Sequence, residues 1–494
     1  MKFSSIANLD KRSHADILVL PYWKGKQHAE PAGDFKKIKS LISGPIETQD
    51  FKGRDGEFLI IYTPDQKENR IALLGLGEKE DITMEKLRRS YASALKGCHA
   101  RKCKEINILL PIIPSFPEDL LIRGVSEGLL LPNYHFDKLK NHALKENPTI
   151  LVGKANLIGC SKNGLAQAEK YATISQAVYF TRDLVNGNAD DVTPKYLAEV
   201  AQGLAKKYSH VKTTVFDKKR IEKEKMGLIL AVNRGSSRDP SFVIIEYKGD
   251  PKSHDNTVVV GKGITYDTGG LNLKAGTGME TMKCDMGGAA VCLGTVMAAA
   301  SLGLKVNLTA VFAATENSIG SNSFKPGDVY KGYSGKTVEI GNTDAEGRLI
   351  LADTLAYVCD KLKPSRIIDF ATLTGGIEIA LGSEASGLFS NNDALADTLI
   401  RSGSETFERV WRFPLYDEYR DLLKSDVADI RNIGGRPASS ISASLFLKEF
   451  IDKTPWAHLD IAGTAFLSDN KRYNPKFATG VGVRLMINFL ENSK

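Results

Sequence analysis

Short apolar runs alternate with helical patterns through the first third of the chain. The runs DILVL (16–20), EFLIIYT (57–63), RIALLGLG (70–77), EINILLPI (105–112) and TILVG (149–153) read as strands. Between them, 84–96 and 118–130 carry apolar residues at helical spacing, as in Leu120, Leu121, Val125 and Leu129. Strand–helix alternation of this kind predicts an α/β domain with a largely parallel sheet. A helix is expected over 164–186, with Leu165, Ala168, Ala172, Ser175, Val178, Tyr179 and Leu184 roughly on one face. It ends at the turn-rich N-G-N-A-D-D (186–191), and Thr193-Pro194 opens another helix. From 190 the pattern is again α/β, with strands expected near 226–232, 241–247, 257–261, 306–313, 336–340 and 366–370. The expected fold is therefore a two-domain α/β protein. An N-terminal α/β domain spans 1–163, a connecting helix and turn 164–189, and a larger C-terminal domain 190–494, with a mixed, mostly parallel sheet flanked by helices.

Composition agrees with a globular chain. The 494 residues are 42% hydrophobic and 25% charged, which excludes disordered, collagenous and membrane-embedded classes. One stretch, 286–304, runs nineteen residues without a charge, near the length of a bilayer span. Four of them are Gly and five Ala, so it suits close packing inside protein better than lipid. Six cysteines without a CxxC, and no pattern resembling a signal peptide, predict a soluble protein with free thiols in a reducing cytoplasm. The net charge is +7, and residues 1–160 hold 25 Lys+Arg against 20 Asp+Glu. Lys96, His99, Arg101, Lys102 and Lys104 form the densest basic patch. An excess this small reads first as a solvated helix end, while leaving room for a nucleic-acid contact.

Two clusters in the second block are not required by folding. One is V-V-V-G-K-G-I-T-Y-D-T-G-G (258–270), followed by Lys274 and Asp285; the other is G-N-T-D-A-E-G-R-L (341–349). Both are expected where β-branched strands end, the side on which parallel α/β sheets bind ligands. On an extended segment Asp344 and Glu346 would point to one side. If the strands are neighbours, Asp267, Asp285, Asp344, Glu346 and Lys262 converge. Four carboxylates in a partly buried site would raise one another's pKa, and two divalent cations would balance them. Oxygen donors suit Mn²⁺, Mg²⁺ or Zn²⁺. Beside such cations Lys262 would lose its proton more readily and could ligate as a neutral amine.

Other chemistries are pruned by what is missing. None of the eight histidines lies between 255 and 457, so no H-E-x-x-H zinc site exists there and His-assisted nucleophilic catalysis is disfavoured. Gly261-Lys262 is not a P-loop, because Gly263 follows where Ser or Thr is required, and no dinucleotide fingerprint opens any helix.

The N-T-D-A-E-G-R-L stretch (342–349), with K-G-I-T-Y-D-T-G-G (262–270), Lys274 and Asp285 at matching spacing, resembles the leucyl aminopeptidase family of cytosolic metallopeptidases. A-T-L-T-G (371–375), N-I-G-G-R (432–436) and W-A-H-L-D-I-A-G (456–463) extend the resemblance over about 180–494. It implies a dinuclear Mn²⁺ or Zn²⁺ site. The tighter metal would be held by Lys262, Asp267, Asp285 and Glu346, the exchangeable one by Asp267, Asp344 and Glu346. Lys274 and Arg348 would be the catalytic side chains, with Arg348 binding a bicarbonate that shuttles the proton in a pocket to which the Leu373 backbone contributes. Met282, Thr374 and the stretch around Ala465 would lie near the side-chain pocket, favouring leucine and similar apolar residues. The resemblance also implies peptide substrates and a homohexamer.

The expected chemistry is removal of a peptide's N-terminal residue by metal-activated water, with a protonated Lys274 stabilising the oxyanion. A nucleic-acid role for the basic N-terminal block is the alternative from another class. A two-metal phosphoesterase would explain the carboxylates but not a lysine among the ligands.

Overall fold

The computed structural model describes residues 1–35, 38–64 and 66–493. The chain divides into two compact units, 1–176 with 469–476, and 177–468 with 477–494. The expected connector is a single helix, Lys162–Asn186, and the division falls within it.

The first unit is built on strands β1 (Lys2–Ile6), β2 (Ile17–Trp23), β3 (Glu30–Pro31), β4 (Phe58–Tyr62), β5 (Arg70–Gly75), β6 (Glu105–Leu109) and β7 (Lys154–Ile158). Their order is β1-β7-β6-β2-β5-β4, with β3 paired to β2. Only β3 and β4 run antiparallel to their neighbours. All seven residues of β2 are buried, as a strand covered on both faces requires. The expected helices are Met84–Ala100 and Glu118–Leu130. The run TILVG at 149–153 is not a strand. The N–H and C=O of Val152 are both bonded to the Asn133 side chain, so they are not available to a ladder, and β7 starts at Lys154.

The second unit contributes β8 (Val211–Phe216), β9 (Ser241–Lys248), β10 (Asn256–Asp267), β11 (Asn307–Asn317), β12 (Val329–Lys331), β13 (Thr337–Glu339), β14 (Arg366–Ala371), β15 (Ser386–Ser390), β16 (Val410–Arg412), β17 (Ile430–Arg431) and β18 (Trp456–Asp460). The main sheet has the order β16-β15-β18-β14-β10-β11-β9-β8, and β12, β13 and β17 form a small separate sheet. The four central strands β18, β14, β10 and β11 are parallel, so their carboxyl ends open on one side. β10 is longer than its β-branched start suggested, and a register shift between Ile264 and Tyr266 re-aims its last residues.

Two expectations fail here for identifiable reasons. The apolar run 226–232 is a helix, Gly227–Asn233, not a strand. Buried Asp353 accepts its first free amides, Leu228 N–H at 2.8 Å and Ile229 N–H at 3.0 Å, a helix start that apolar content alone does not reveal. The 336–340 strand exists as β13 but belongs to the small sheet, so the second chemical cluster does not extend from a strand of the main sheet.

The uncharged stretch becomes the helix Gly287–Leu302, nearly all of it buried against the sheet. Gly276–Leu302 is the one described segment apolar and long enough to cross a bilayer, and it is mostly enclosed by protein. Glycine lets it lie this close: a Cβ on Gly288 would collide with the Phe370 carbonyl and the Lys262 amide, and one on Gly261 with the Gly288 backbone. All six cysteines are free thiols and buried.

Candidate metal centre

The carboxyl ends of the central strands, together with two loops, bring the expected residues together. Lys262 and Asp267 both lie on β10, on opposite sides of its register shift. Asp285 sits in the one-turn segment Met282–Met286 that leads into the glycine-rich helix. Asp344 and Glu346 occupy a turn rather than the extended segment expected, and Glu346 stands immediately before the helix Gly347–Tyr357 without a side-chain hydrogen bond to its first amides. Lys262 passes so close to this helix start that a Cβ on Gly347 would overlap its side chain.

Lys262 Nζ lies 2.7 Å from Asp285 Oδ2 and 2.9 Å from Glu346 Oε1, and donates to the Thr372 carbonyl at 3.0 Å. Lys274 Nζ lies 2.8 Å from Asp267 Oδ2 and 2.6 Å from Asp344 Oδ1. Lys262, Asp267, Asp285 and Glu346 are almost wholly buried, whereas the Asp344 side chain is a third exposed. Burial raises the Asp285 pKa to about 6 and that of Glu346 to about 8, the charge on Asp267 adding to both and the lysines opposing. Asp344 is raised for the same reasons. For the two lysines burial acts the other way, but the surrounding carboxylates prevail and hold both above the ordinary lysine range. Among carboxylates alone Lys262 is thus an ammonium; the neutral amine expected from the sequence requires cation charge beside it.

The donor set fits hard or borderline divalent cations. One oxygen each from Asp267, Asp344 and Glu346 can be chosen within 4.8 Å of one another. Glu346 Oε2 is buried with no hydrogen-bond partner, an acceptor that folding alone does not satisfy.

A further set of side chains holds these groups, and sequence reasoning did not single them out. Asn317, at the end of β11, donates to Asp267 Oδ1 at 2.8 Å and to the Thr343 carbonyl at 3.1 Å. Thr343 Oγ1 donates to the Gly269 carbonyl and accepts from Asn272 N–H, joining the two motif loops. Gly269 and Gly270 both have positive φ, and the Gly269 amide returns to Asp267 Oδ1 at 2.8 Å. Asn432, within N-I-G-G-R, accepts from Gly341 N–H and donates to the Asn342 carbonyl, while its own carbonyl accepts from Arg348 Nη1 at 2.8 Å. Arg348 is buried, which lowers its pKa to about 10, and its Nε has no partner.

The pocket residues divide differently from expectation. Thr374 directs its hydroxyl to Asp460 Oδ2 (2.6 Å) and Ser440 Oγ (2.7 Å) and caps the helix Gly375–Leu381. Thr372 is the threonine beside Ala465: a Cβ built on Gly287 would meet Thr372 Cγ2, Ala465 Cβ and Ile461 Cδ1 at 3.6, 3.7 and 3.9 Å. Met282 is partly buried three residues before Asp285. The Leu373 amide donates to Asp460 Oδ1 at 3.1 Å.

Comparison with known proteins gives matches along both units. The model of the Cytosol aminopeptidase family, catalytic domain, matches residues 179–487, and that of its N-terminal domain matches 19–143. A probable cytosol aminopeptidase of Protochlamydia amoebophila is 56% identical over 492 residues, covering 99% of each chain. That of Chlamydia abortus is 46% identical, covering 99% of this chain and 98% of the relative. Among solved structures, a tomato leucine aminopeptidase variant superposes with a TM-score of 0.88 at 29% identity, over 100% of this chain and 97% of the other. The bottromycin maturation enzyme BotP, in complex with Mn, gives 0.85 at 28% identity over 96% and 99%.

Proposed function

This chain belongs to the cytosol aminopeptidase family and is a metal-dependent aminopeptidase, and from that premise we propose the chemistry and ligands of its site. Lys262, Asp267, Asp285 and Glu346 hold one divalent cation, Mn²⁺ or Zn²⁺, and Asp267, Asp344 and Glu346 hold a second. The carrying observation is the convergence of four carboxylates on two lysines, with Glu346 Oε2 buried and unpartnered.

When bound, the cation pair supplies a water acidified to near-neutral pKa and a Lewis acid for the scissile carbonyl. Lys274, a fifth exposed on a loop, donates from its ammonium to the oxyanion of the reacting carbonyl. The cluster has no histidine and no uncommitted carboxylate to act as base. Arg348, whose buried guanidinium has an unpartnered Nε and stands in the first turn of the helix Gly347–Tyr357, would hold a bicarbonate that supplies this base. Met282, Thr372 and Ala465 bound the side-chain pocket, and their size and polarity favour leucine and similar apolar N-terminal residues.

Chelation is expected to abolish hydrolysis of leucyl amides, and Mn²⁺ or Zn²⁺ to restore it; activity that survives complete metal removal would refute the ligand assignment. The working form we propose is a cytoplasmic homohexamer acting on peptides, and sedimentation of the purified protein tests the assembly. A nucleic-acid role would fall to Arg101, Lys102 and Lys104. The other two members of the basic patch are engaged within the first unit, Lys96 with the Arg472 carbonyl and His99 with Asn133. Mobility shifts across salt concentration test that role, since phosphate binding must weaken as salt rises.

A further inference from the structure

Asp460 closes β18 at the floor of the site and is 1% exposed. Its oxygens take three donors: Oδ1 accepts from Leu373 N–H at 3.1 Å and Ala462 N–H at 3.3 Å, and Oδ2 from the Thr374 hydroxyl at 2.6 Å. Ser440 grips the same Thr374 hydroxyl at 2.7 Å. Residues 373 and 374 are therefore fixed to one buried carboxylate. The residue immediately before them, Thr372, touches the cluster twice. Its hydroxyl donates to Asp285 Oδ1 at 2.7 Å, and its carbonyl accepts from Lys262 Nζ at 3.0 Å.

We propose that Asp460 is a positioning residue for the aminopeptidase reaction, setting Thr372 through Leu373 and Thr374, and through Thr372 the orientation of Asp285 and Lys262. The proposal rests on the ligand assignment made above. Its physical basis is the rotation of a ligating carboxylate: Asp285 has Lys262 on Oδ2 and Thr372 on Oδ1, so a displaced Thr372 leaves Asp285 free to turn and Lys262 one contact short. Groups that orient metal ligands in this way are worth about tenfold to a hundredfold in metal affinity or activity. Asp460 hydrogen-bonds to none of the proposed ligands and reaches them through the loop, while its charge also supports that of the buried Arg348.

The test is a double-mutant cycle on the full chain, with Mn²⁺ affinity read by competition against a fluorescent chelator and leucyl-amide kinetics read alongside. Asp460→Asn keeps the volume and one acceptor; it is expected to weaken Mn²⁺ binding about tenfold to a hundredfold and to lower kcat while KM stays within about twofold. Thr372→Val removes the hydroxyl on Asp285 and is expected to do the same. Because both break one chain of contacts, the double variant should be no worse than the poorer single. Multiplying losses would mean that Asp460 acts independently of Thr372 and would overturn the proposal, as would unchanged Mn²⁺ affinity in Asp460→Asn. Should Asp460→Asn not fold, Thr374→Val, which deletes one donor to Asp460, carries the same expectation. A wild-type protein that bound no Mn²⁺ and left leucyl amides intact would instead bring down the ligand assignment, and this inference with it.

Discussion

Lys262 and Lys274 bring the same charge to one cluster, yet their settings separate their tasks. Lys262 is on a strand, 4% exposed, and clamped by Asp285, Glu346 and the Thr372 carbonyl. Lys274 is on a loop, 19% exposed, and paired with Asp267 and Asp344. The first is built to stay and the second to reach a substrate. Lys274→Ala is therefore expected to lower kcat by about 10²–10³, the cost of one well-aimed oxyanion donor, with two metals per chain retained. Arg348→Ala should also lower kcat at unchanged metal content, because its guanidinium touches no proposed ligand oxygen closely. Lys262→Ala should lose metal. Elemental analysis beside steady-state kinetics separates these outcomes, and metal loss in Lys274→Ala would show that the two lysines have been assigned the wrong way round.

At the level of elements, what was readable from the residues and what was not follow from one distinction. The five ligand candidates and Lys274 stood out because four carboxylates and two lysines near predicted strand ends serve no local folding need. Asn317, Thr372 and Asp460 did not stand out, because each matters through the order in which β18, β14, β10 and β11 lie side by side, nor did Asn432, which follows β17 where it pairs with β13 in the small sheet; both arrangements are non-local. Locally ambiguous segments failed in the same way. The 226–232 run is apolar all round, and a carboxylate 125 positions away, Asp353, decides that it is a helix. Asp353 accepts from Leu228, Ile229 and Tyr333 amides and pairs with no cation among the described residues. Asp353→Ala would leave three amides without an acceptor, at roughly 1–3 kcal/mol for each that stays buried, so a loss of several kcal/mol is expected in denaturant unfolding. Gly288→Ala forces the Gly287–Leu302 helix away from Phe370 and Lys262. Overpacking of this kind costs about 1–3 kcal/mol, and here it should also weaken metal binding, since Asp285 immediately precedes that helix. A Gly288→Ala protein with normal stability and metal content would show that the close approach is not needed.

For the molecule as a whole, the cluster makes stability depend on pH in opposite directions with and without cations. In the metal-free protein Asp285 and Glu346 titrate near 6 and 8, above their usual range, because burial and the neighbouring Asp267 charge penalise ionisation more than the lysines relieve it. A carboxyl whose folded pKa is raised binds more protons in the folded state than in the unfolded chain over the interval between the two values. Its stabilising contribution is complete below the unfolded pKa and disappears as pH rises through the folded one. Metal-free protein should therefore lose stability between about pH 5 and pH 8, with a slope of up to about 1.4 kcal/mol per pH unit for each proton released. Cations reverse the sign. They bind the ionised carboxylates, displace those protons, and so bind more tightly as pH rises across the same interval, adding stability in proportion to saturation. Glu346→Gln removes the group with the higher pKa and should flatten the metal-free profile between pH 6 and 8. Thermal melting of chelated and Mn²⁺-loaded protein across that range checks both limbs; parallel profiles would mean that the carboxylates are neutralised by Lys262 and Lys274 alone and that the cluster does not need cations to hold its charge.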